Sequence, residues 1–377
     1  MTRFVVALAL ASLGTAAAAE DAPHSTPPRV ASVEHYLVDY ASDTVLSASE
    51  ADAPVPPASL TKLMTAYVVF GALEAGTIHL DDEAVVSKKA WHTGGSRMFI
   101  EPNSHVRVED LVRGMLIQSG NDASTALAEY VGGSVDAFVE SMNAQAASLG
   151  MKSTVFKNPT GLPARGHVSS AHDLAILAKA IISTYPEYYG LYAEREFSYN
   201  GITQQNRNAL LLRDLGVDGM KTGFTEAAGY CIVSSAERGG MRLIAVVLGA
   251  KTARIRNDTT QALLQYGFAN YETRRLYAAG EPVSAARVWG GRPETTPLGL
   301  ERDLFVTIPR GSYAALVATM DLTVQLIAPL REGTQVGEVK VSLDGSPLAS
   351  LPLVALKPVL DGGLWTRVLS GLGLTRE

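Results

Sequence analysis

A serine and a lysine three positions apart are the first residues of this chain whose types and spacing could do covalent chemistry. Ser59 and Lys62 lie in Pro-Pro-Ala-Ser-Leu-Thr-Lys-Leu-Met-Thr (56–65), where two prolines precede an apolar helical pattern. On a helix they would share one face. A buried, neutral lysine can take the proton of a serine, which then becomes a nucleophile. The alternative is a helix-capping serine beside a solvated lysine, and this short pattern alone does not exclude it.

A second polar motif, Ser119-Gly120-Asn121, interrupts two helical patterns. Such a tight loop can direct a hydroxyl and an amide into a cleft, where the serine could relay a proton and the asparagine could hold the Lys62 side chain or a substrate carbonyl. The same Ser-x-Asn pattern occurs by chance at 141–143 and 198–200, so its position is what matters.

A third motif, Lys221-Thr222-Gly223, ends an extended run that we interpret as a strand. The lysine and the threonine offer a cation and a hydroxyl to a substrate carboxylate, and the glycine lets a substrate backbone approach the strand edge. The alternative is a strand end with a surface lysine. The three motifs in this order are far more specific than any one of them.

The elements around these motifs predict how they are positioned. Between residues 35 and 269, strand patterns near both ends flank a long helical block, which favours one antiparallel sheet covered by helices. Strand patterns occur at 35–46 (a hairpin), 217–224, 230–235 and 241–248, and helical patterns begin at Ser59 and cover 110–118, 123–131, 135–149, 171–183 and 256–269.

The character of the chain changes near Tyr277. Short strands separated by turns are expected at 304–308, 322–328, 337–343 and 351–356, which predicts a small all-β domain, a sandwich. All seven histidines precede this region, so we expect it to be non-catalytic.

Composition and the N-terminus indicate an exported globular protein. With 377 residues and a net charge of −6, the chain has room for two domains and no basic run that would favour nucleic acid. Residues 1–19 form a secretory signal pattern, in which Arg3 precedes an apolar core and Ala17–Ala19 offers a cleavage site. A single cysteine, Cys231, excludes an internal disulfide, and we expect it to be a buried structural thiol.

The C-terminal stretch, 361–377, predicts an amphipathic membrane anchor. It is too short to span a bilayer but suits its interface, with Arg367 and Arg376 available to lipid phosphates. The alternative is a terminal helix docked on the protein, or a frayed tail. Its apolar face consists of Leu364, Trp365, Val368, Leu369 and Leu372.

The three motifs and their surroundings resemble the penicillin-recognising serine enzymes. Residues 57–65, 118–123, 206–208 and 217–223 are similar to those of low-molecular-mass penicillin-binding proteins, the D-alanyl-D-alanine carboxypeptidases of the Gram-negative periplasm. The resemblance implies an α+β fold. A penicillin-binding/β-lactamase-like catalytic domain (28–273), an antiparallel sheet with helices, would be followed by a small all-β sandwich domain (277–358).

The resemblance also implies roles for the motif residues. Ser59 would be the acylated nucleophile and Lys62 its general base. Ser119 would relay the proton to the leaving D-alanine, and Asn121 would orient Lys62 and the substrate amide. The backbone N–H groups of Ser59 and Phe224 would form the oxyanion hole.

The remaining implied site residues bind the substrate. Lys221 and Thr222, with Gly223 beside them, would approach its terminal carboxylate. Arg256 stands where the family has a carboxylate-binding arginine, and Arg207 where it has a second arginine that lines the site. Phe224 stands where some relatives have histidine. No metal and no other cofactor is implied.

The function expected from this resemblance is removal of the terminal D-alanine from the peptidoglycan stem pentapeptide through an acyl-enzyme on Ser59. The expected partners are that pentapeptide, β-lactams as inhibitors and the inner-membrane surface, which the C-terminal helix would contact from the periplasm. Nucleic acid is not expected.

Two alternatives differ in function. A class A β-lactamase needs a carboxylate in the loop before Asp173, and 156–172 contains no Asp or Glu. A non-catalytic wall-binding scaffold would not need Ser59, Lys62, Ser119 and Lys221 together.

Overall fold

In the computed structural model of the chain, residues 4–8, 27–28, 34–213, 215–322 and 325–363 are described. They divide into two compact units, one within Thr26–Ala269 and one within Asn270–Glu377. The second unit also includes strand β1 (Phe4–Leu8), which pairs antiparallel with a strand of that unit. This strand falls in the segment whose removal as a signal peptide stays a prediction.

The first unit is a mixed α and β structure. Its strands are β2 (His35–Asp39), β3 (Val45–Ser49), β4 (Glu83–Val85), β5 (His105–Arg107), β6 (Glu196–Tyr199), β7 (Ile202–Gln205), β8 (Val217–Thr225), β9 (Gly229–Arg238) and β10 (Met241–Ala250). Its helices are α1 (Lys62–Glu74), α2 (Lys88–His92), α3 (Val108–Leu116), α4 (Asn121–Gly132), α5 (Val135–Ser148), α6 (Ala171–Thr184), α7 (Pro186–Tyr189) and α8 (Ala253–Asn270).

The main sheet has the order β3-β2-β10-β9-β8 and is antiparallel throughout. Strands from the two ends of the unit therefore lie side by side, as the sequence predicts. Strand β8, which carries Lys221-Thr222-Gly223, lies at one edge of this sheet, and its register places Lys221 opposite Val233.

Helix α1 is buried on nearly all sides, which explains why its sequence lacks a polar face. Leu63 and Phe70 are completely buried, and each such side chain stabilises the fold by about 1.5–3 kcal/mol. Because Lys62 is the first residue of this core helix, its amine is buried with the helix. A 3-10 turn, Ala58–Thr61, precedes α1 and carries Ser59.

Cys231 lies inside β9 and is fully buried. Its Sγ lies 3.4 Å from the carbonyl oxygen of Ala228, and burial raises the pKa of the thiol to about 11. The expectation of a buried structural thiol is confirmed.

The second unit is all-β apart from a single 3-10 turn within its described residues, which confirms the prediction of an all-β region. Its strands are β11 (Tyr271–Tyr277), β12 (Pro282–Arg287), β13 (Gly291–Arg292), β14 (Thr295–Gly299), β15 (Leu304–Pro309), β16 (Leu316–Leu322), β17 (Gln335–Leu343), β18 (Ser346–Ala355) and β19 (Leu360–Asp361). The largest sheet described has the order β1-β16-β17-β18-β14-β12, and β11-β15 and β13-β19 form two further pairs.

The predicted position of one strand in this unit is wrong. We predicted it at 322–328, but β16 ends at Leu322, and the described part of 325–328 contributes an isolated bridge between Ile327 and Trp289. The true strand alternates buried and exposed positions, with Leu316 and Ala318 inside, but small residues make its pattern less apolar than the run that follows it.

Two further predictions concern the end of the catalytic domain and the C-terminal stretch of the chain. The predicted catalytic boundary at Thr273 falls inside β11, which pairs with β15. From Leu364 onward the predicted membrane anchor lies outside the described residues. Within the described ranges, no helix is long and apolar enough to cross a membrane.

Candidate active site

Ser59 and Lys62 contact one another at the start of α1. The Nζ of Lys62 lies 3.3 Å from the Oγ of Ser59. Lys62 is completely buried, and the N-cap of α1 is Thr61, without a side-chain capping bond. The alternative of a capping serine beside a solvated lysine is therefore wrong.

The surroundings of the Lys62 amine favour its neutral form. Burial, together with the nearby positive charge of Lys221, holds the pKa of Lys62 well below its usual value. The Nζ also lies 2.6 Å from Oδ1 of Asn121 and 2.6 Å from the carbonyl oxygen of Thr160. A neutral amine has two N–H groups and one lone pair. If the N–H groups are donated to these two oxygens, the lone pair is left facing the Ser59 hydroxyl.

Asn121 and Asp122 open helix α4 and connect this lysine to a neighbouring loop. The Nδ2 of Asn121 donates to the carbonyl oxygen of Gly94 (2.6 Å), so both ends of the amide are engaged. The buried Asp122 carboxylate accepts from the backbone N–H groups of Met98 (3.1 Å) and Phe99 (2.9 Å). Its charge, stabilised in the first helical turn, raises the pKa of Lys62 and partly opposes the lowering effects.

Ser119 is held in a left-handed backbone conformation, with φ +68°. Only 2% of the residue is exposed, and its Oγ has no hydrogen-bond partner within the part of the chain that the structure describes. Leaving a buried hydroxyl unpaired costs about 1–3 kcal/mol. Because Ser119 lines the same cleft as Ser59, a bound substrate could supply the missing partner.

The cleft beside Ser59 has a volume of about 460 Å³ and a cationic wall. Arg207 and Arg256 line it, and burial lowers the pKa of both guanidinium groups. Burial and the positive charges of these two arginines lower the pKa of Lys221, which is itself buried, to about 7. Among the described residues, no carboxylate oxygen lies within 4.0 Å of these three cations. The wall is therefore suited to bind an anion.

Gly223 allows β8 to pack closely against the turn that carries Ser59, a role that the sequence does not predict. A Cβ at this position would lie 3.1 Å from the backbone nitrogen of Ser59 and 3.2 Å from the carbonyl oxygen of Pro57. The close backbone approach that it permits is thus made by the chain itself. It brings the end of β8, including Phe224, next to the nucleophile. No strand among the described residues pairs with the outer edge of β8.

A loop that the sequence does not assign to the site borders it through Thr160 and Gly161. The side-chain oxygen of Asn158 accepts from the backbone N–H groups of Thr160 (3.1 Å) and Gly161 (2.7 Å). Gly161 has φ +85°, and a Cβ there would lie 1.8 Å from the carbonyl oxygen of Ala58. Glycine is required here, and it fixes the Thr160 carbonyl against Lys62.

The structure brings all ten predicted site residues together, although their individual roles stay predictions. It adds residues that sequence reasoning missed, of which Thr160 acts through a backbone carbonyl and Asp122 through charge. The ten are Ser59, Lys62, Ser119, Asn121, Arg207, Lys221, Thr222, Gly223, Phe224 and Arg256. A hydroxyl beside a neutral amine, facing an anion-binding wall, has the equipment for acyl transfer from a substrate with a carboxylate.

Comparison with known proteins agrees with this chemistry. Residues 21–252 match the family described as D-alanyl-D-alanine carboxypeptidase, and residues 271–360 match the C-terminal domain of penicillin-binding protein 5. The D-alanyl-D-alanine carboxypeptidase DacC of Escherichia coli (strain K12) is 46% identical over 362 residues, covering 94% of this chain and 90% of the relative.

Solved structures show the same relationship. Penicillin-binding protein 5 from Haemophilus influenzae has 43% identity and a TM-score of 0.86, covering 89% of this chain and 99% of that one. Penicillin-binding protein D2 from Listeria monocytogenes, solved in an ampicillin-bound form, has 34% identity and a TM-score of 0.58, covering 62% of this chain and 96% of that one.

Proposed function

This chain belongs to the D-alanyl-D-alanine carboxypeptidase family of penicillin-binding proteins, and from that premise we propose which of its groups perform each step. The chain is a serine-type D-alanyl-D-alanine carboxypeptidase that acts on peptidoglycan peptides and binds β-lactams. The observation that carries our assignment is the buried Lys62 amine 3.3 Å from the Ser59 hydroxyl.

In the acylation step, the oxygen of Ser59 attacks the carbonyl carbon between the last two D-alanines. Neutral Lys62 accepts the hydroxyl proton through the lone pair that Asn121 and Thr160 leave free. The backbone N–H groups of Ser59 and Phe224 stabilise the resulting oxyanion. The position of Gly223, which packs β8 against the Ser59 turn, supports this pairing.

In the collapse of that intermediate, the carbon–nitrogen bond breaks and the terminal D-alanine leaves. Its nitrogen needs a proton, and Ser119 relays one from the Lys62 ammonium. The buried hydroxyl has no hydrogen-bond partner among the residues that the structure describes, which supports this role because it could bond to the departing amine.

The substrate carboxylate binds on the cationic wall. Lys221, Arg207 and Arg256 provide the charge, and Thr222 adds a hydroxyl from the same wall. An Arg can bind a carboxylate through two parallel hydrogen bonds. The carboxylate of a β-lactam would occupy the same position, and its strained amide would acylate Ser59.

The acyl-enzyme is then released by water. Lys62 is the base we assign to activate that water in the peptide acyl-enzyme. Segment 156–172 contains no Asp or Glu that could act as a dedicated second base. We therefore expect a β-lactam to remain on Ser59 for a long time, which favours a carboxypeptidase over the β-lactamase alternative.

The test combines product analysis with covalent labelling. A stem pentapeptide that ends in D-Ala-D-Ala should lose the mass of one alanine residue, and a fluorescent penicillin should label the protein. Ser59→Ala should abolish both. Ser119→Ala, as a matched loss of a cleft hydroxyl, should still form the penicillin adduct, but more slowly. An adduct on Ser59→Ala would disprove the assignment.

We also propose that the mature protein is periplasmic and peripheral on the outer face of the inner membrane. The signal pattern of 1–19 supports export. The apolar face of the C-terminal stretch, with Arg367 and Arg376, supports weak binding to anionic lipid.

A further inference from the structure

The cationic wall fixes the direction in which a peptide must lie in the cleft. Arg256 and Thr222 lie on one side of Ser59, in the cleft of about 460 Å³. The terminal D-alanine, which carries the carboxylate, therefore belongs there. The part of the cleft on the other side of Ser59 has a volume of about 390 Å³ and is lined by Asn121, Leu162 and Thr225, among others. Arg207 borders both parts, whereas Arg256 lines only the larger one. The rest of the peptide must leave through this part.

The free edge of β8 provides a track for that peptide. Thr222 borders the carboxylate side and Thr225 the other side, so the substrate runs antiparallel to β8. A strand rises roughly 3.3 Å per residue, so the length of β8 from Thr222 to Thr225 accommodates about three extended residues of the substrate. The residues that precede the D-Ala-D-Ala pair would therefore lie beyond Thr225.

Beyond Thr225 lies another cavity of about 300 Å³, which we call the upstream cavity. It shares Gly161, Leu162 and Thr225 with the cleft, so the two adjoin one another. Its walls are largely apolar and stiff. They include Pro56, Pro57, Pro163, Arg165, His167 and Ala227.

Arg165 is the charged side chain of this cavity at neutral pH. His167, which also lines it, is mostly buried and makes a 2.8 Å hydrogen bond to Thr61. Burial lowers the pKa of His167 to about 4, so it is neutral. Among the described residues, no carboxylate oxygen lies within 4.0 Å of Arg165. Glu226 is exposed on the adjoining turn but does not line the cavity.

We propose that the upstream cavity binds the residues of the stem peptide that precede D-Ala-D-Ala, and that Arg165 pairs with a carboxylate on them. This inference rests on the proposed function and adds a preference for anionic peptides. Two sources of carboxylate are possible: the side chain of the residue next to D-Ala-D-Ala, or the free carboxylate of a γ-linked D-glutamyl residue one position earlier. The pairing would tune peptide choice without touching the acylated atoms.

Three acetylated peptides test the proposal on the full mature chain. Ac-L-norleucyl-D-Ala-D-Ala is neutral upstream, and Ac-L-α-aminoadipyl-D-Ala-D-Ala carries a side-chain carboxylate. Ac-γ-D-glutamyl-L-norleucyl-D-Ala-D-Ala carries the earlier one. For at least one anionic peptide, Arg165→Ala should lower kcat/KM about fivefold, the scale of an exposed ion pair. It should leave the neutral peptide and penicillin acylation unchanged.

The matched control is Glu226→Gln, which removes a nearby charge outside the cavity and should not lower kcat/KM for the anionic peptides relative to the neutral one. The anionic peptide that responds to Arg165→Ala identifies the source of the carboxylate. If Arg165→Ala affects all three peptides equally, or none, the subsite is disproved while the carboxypeptidase assignment stands. If the wild-type protein releases no D-alanine from any peptide and is not labelled by penicillin, the proposed function falls as well.

Discussion

Replacing Gly161 by alanine should disable the enzyme without changing any side chain proposed to do chemistry. An added Cβ would lie 1.8 Å from the carbonyl oxygen of Ala58 and 2.9 Å from the backbone nitrogen of Ser59. Since real Cβ atoms essentially never come within 3.0 Å of such atoms, the loop must retreat by at least about 1.2 Å, the difference between 3.0 and 1.8 Å.

That retreat would act on the base through the neighbouring residue. The hydrogen bond from Lys62 Nζ to the Thr160 carbonyl oxygen is 2.6 Å long, and a shift of this size would lengthen it to roughly 3.8 Å, beyond hydrogen-bond range. The amine would lose one of the two acceptors that direct its lone pair at Ser59. Because a misplacement of about 1 Å can cost on the order of a hundredfold in rate, the second-order acylation rate should fall about a hundredfold.

Gly166→Ala is the matched control in the same loop. Gly166 also has a left-handed backbone, with φ +76°, but an added Cβ would meet nothing closer than Cε of Lys157 at 3.7 Å. Both substitutions carry the conformational penalty of left-handed alanine, about 1–2 kcal/mol, so both should lower the Tm. Acylation would be followed with a fluorescent penicillin, and folding by circular dichroism. A Gly161→Ala protein that is acylated as fast as Gly166→Ala would refute the reasoning.

Four further outcomes are expected. Lys62→Arg should fold but lose acylation by about 10³-fold, because a guanidinium cannot act as a base; a near-normal labelling rate would remove Lys62 from that role. Since only protonated Lys221 attracts a carboxylate and its pKa is about 7, kcat/KM for D-Ala-D-Ala peptides should fall as the pH rises through about 7. Lys221→Arg should move that decline to higher pH, and an unchanged pH profile would contradict the assignment. A chain ended after Asn270, where α8 ends, should keep hydrolysis of a small D-Ala-D-Ala peptide, and inactivity with a native circular dichroism spectrum would argue for a catalytic second unit. The full mature chain should float on anionic vesicles better than a chain ended at Pro358, whereas equal flotation would exclude the tail as the anchor.

The parts of the site that could be predicted from sequence are those in which the chemical type of a side chain indicates its role. Ser59, Lys62 and Lys221 belong to short motifs whose residue types state their chemistry, and the periodicity of the flanking elements predicts the sheet that gathers them. Helix α1 shows why this succeeds: an apolar helix with one lysine at its start must bury that amine, and burial lowers the pKa as a base requires.

The parts that could not be predicted act through the backbone or through a contact that only the fold creates. Thr160 contributes a carbonyl oxygen, which every residue has, so its identity gives no signal. Gly161 stands out only when the Ala58 carbonyl is seen 1.8 Å from the missing Cβ. Asp122 reads as an ordinary acid at a helix start until its carboxylate is found buried among backbone N–H groups.

The buried thiol of Cys231 makes this protein convenient for site-specific fluorescence. It is the only cysteine in the chain, it is completely buried, and its raised pKa of about 11 keeps it protonated at neutral pH. Since thiolates are what maleimides attack, the unmodified protein offers almost no background for these dyes. A cysteine introduced by Glu226→Cys, on the exposed turn beside the upstream cavity, would therefore be labelled alone, and its emission could follow peptides as they arrive.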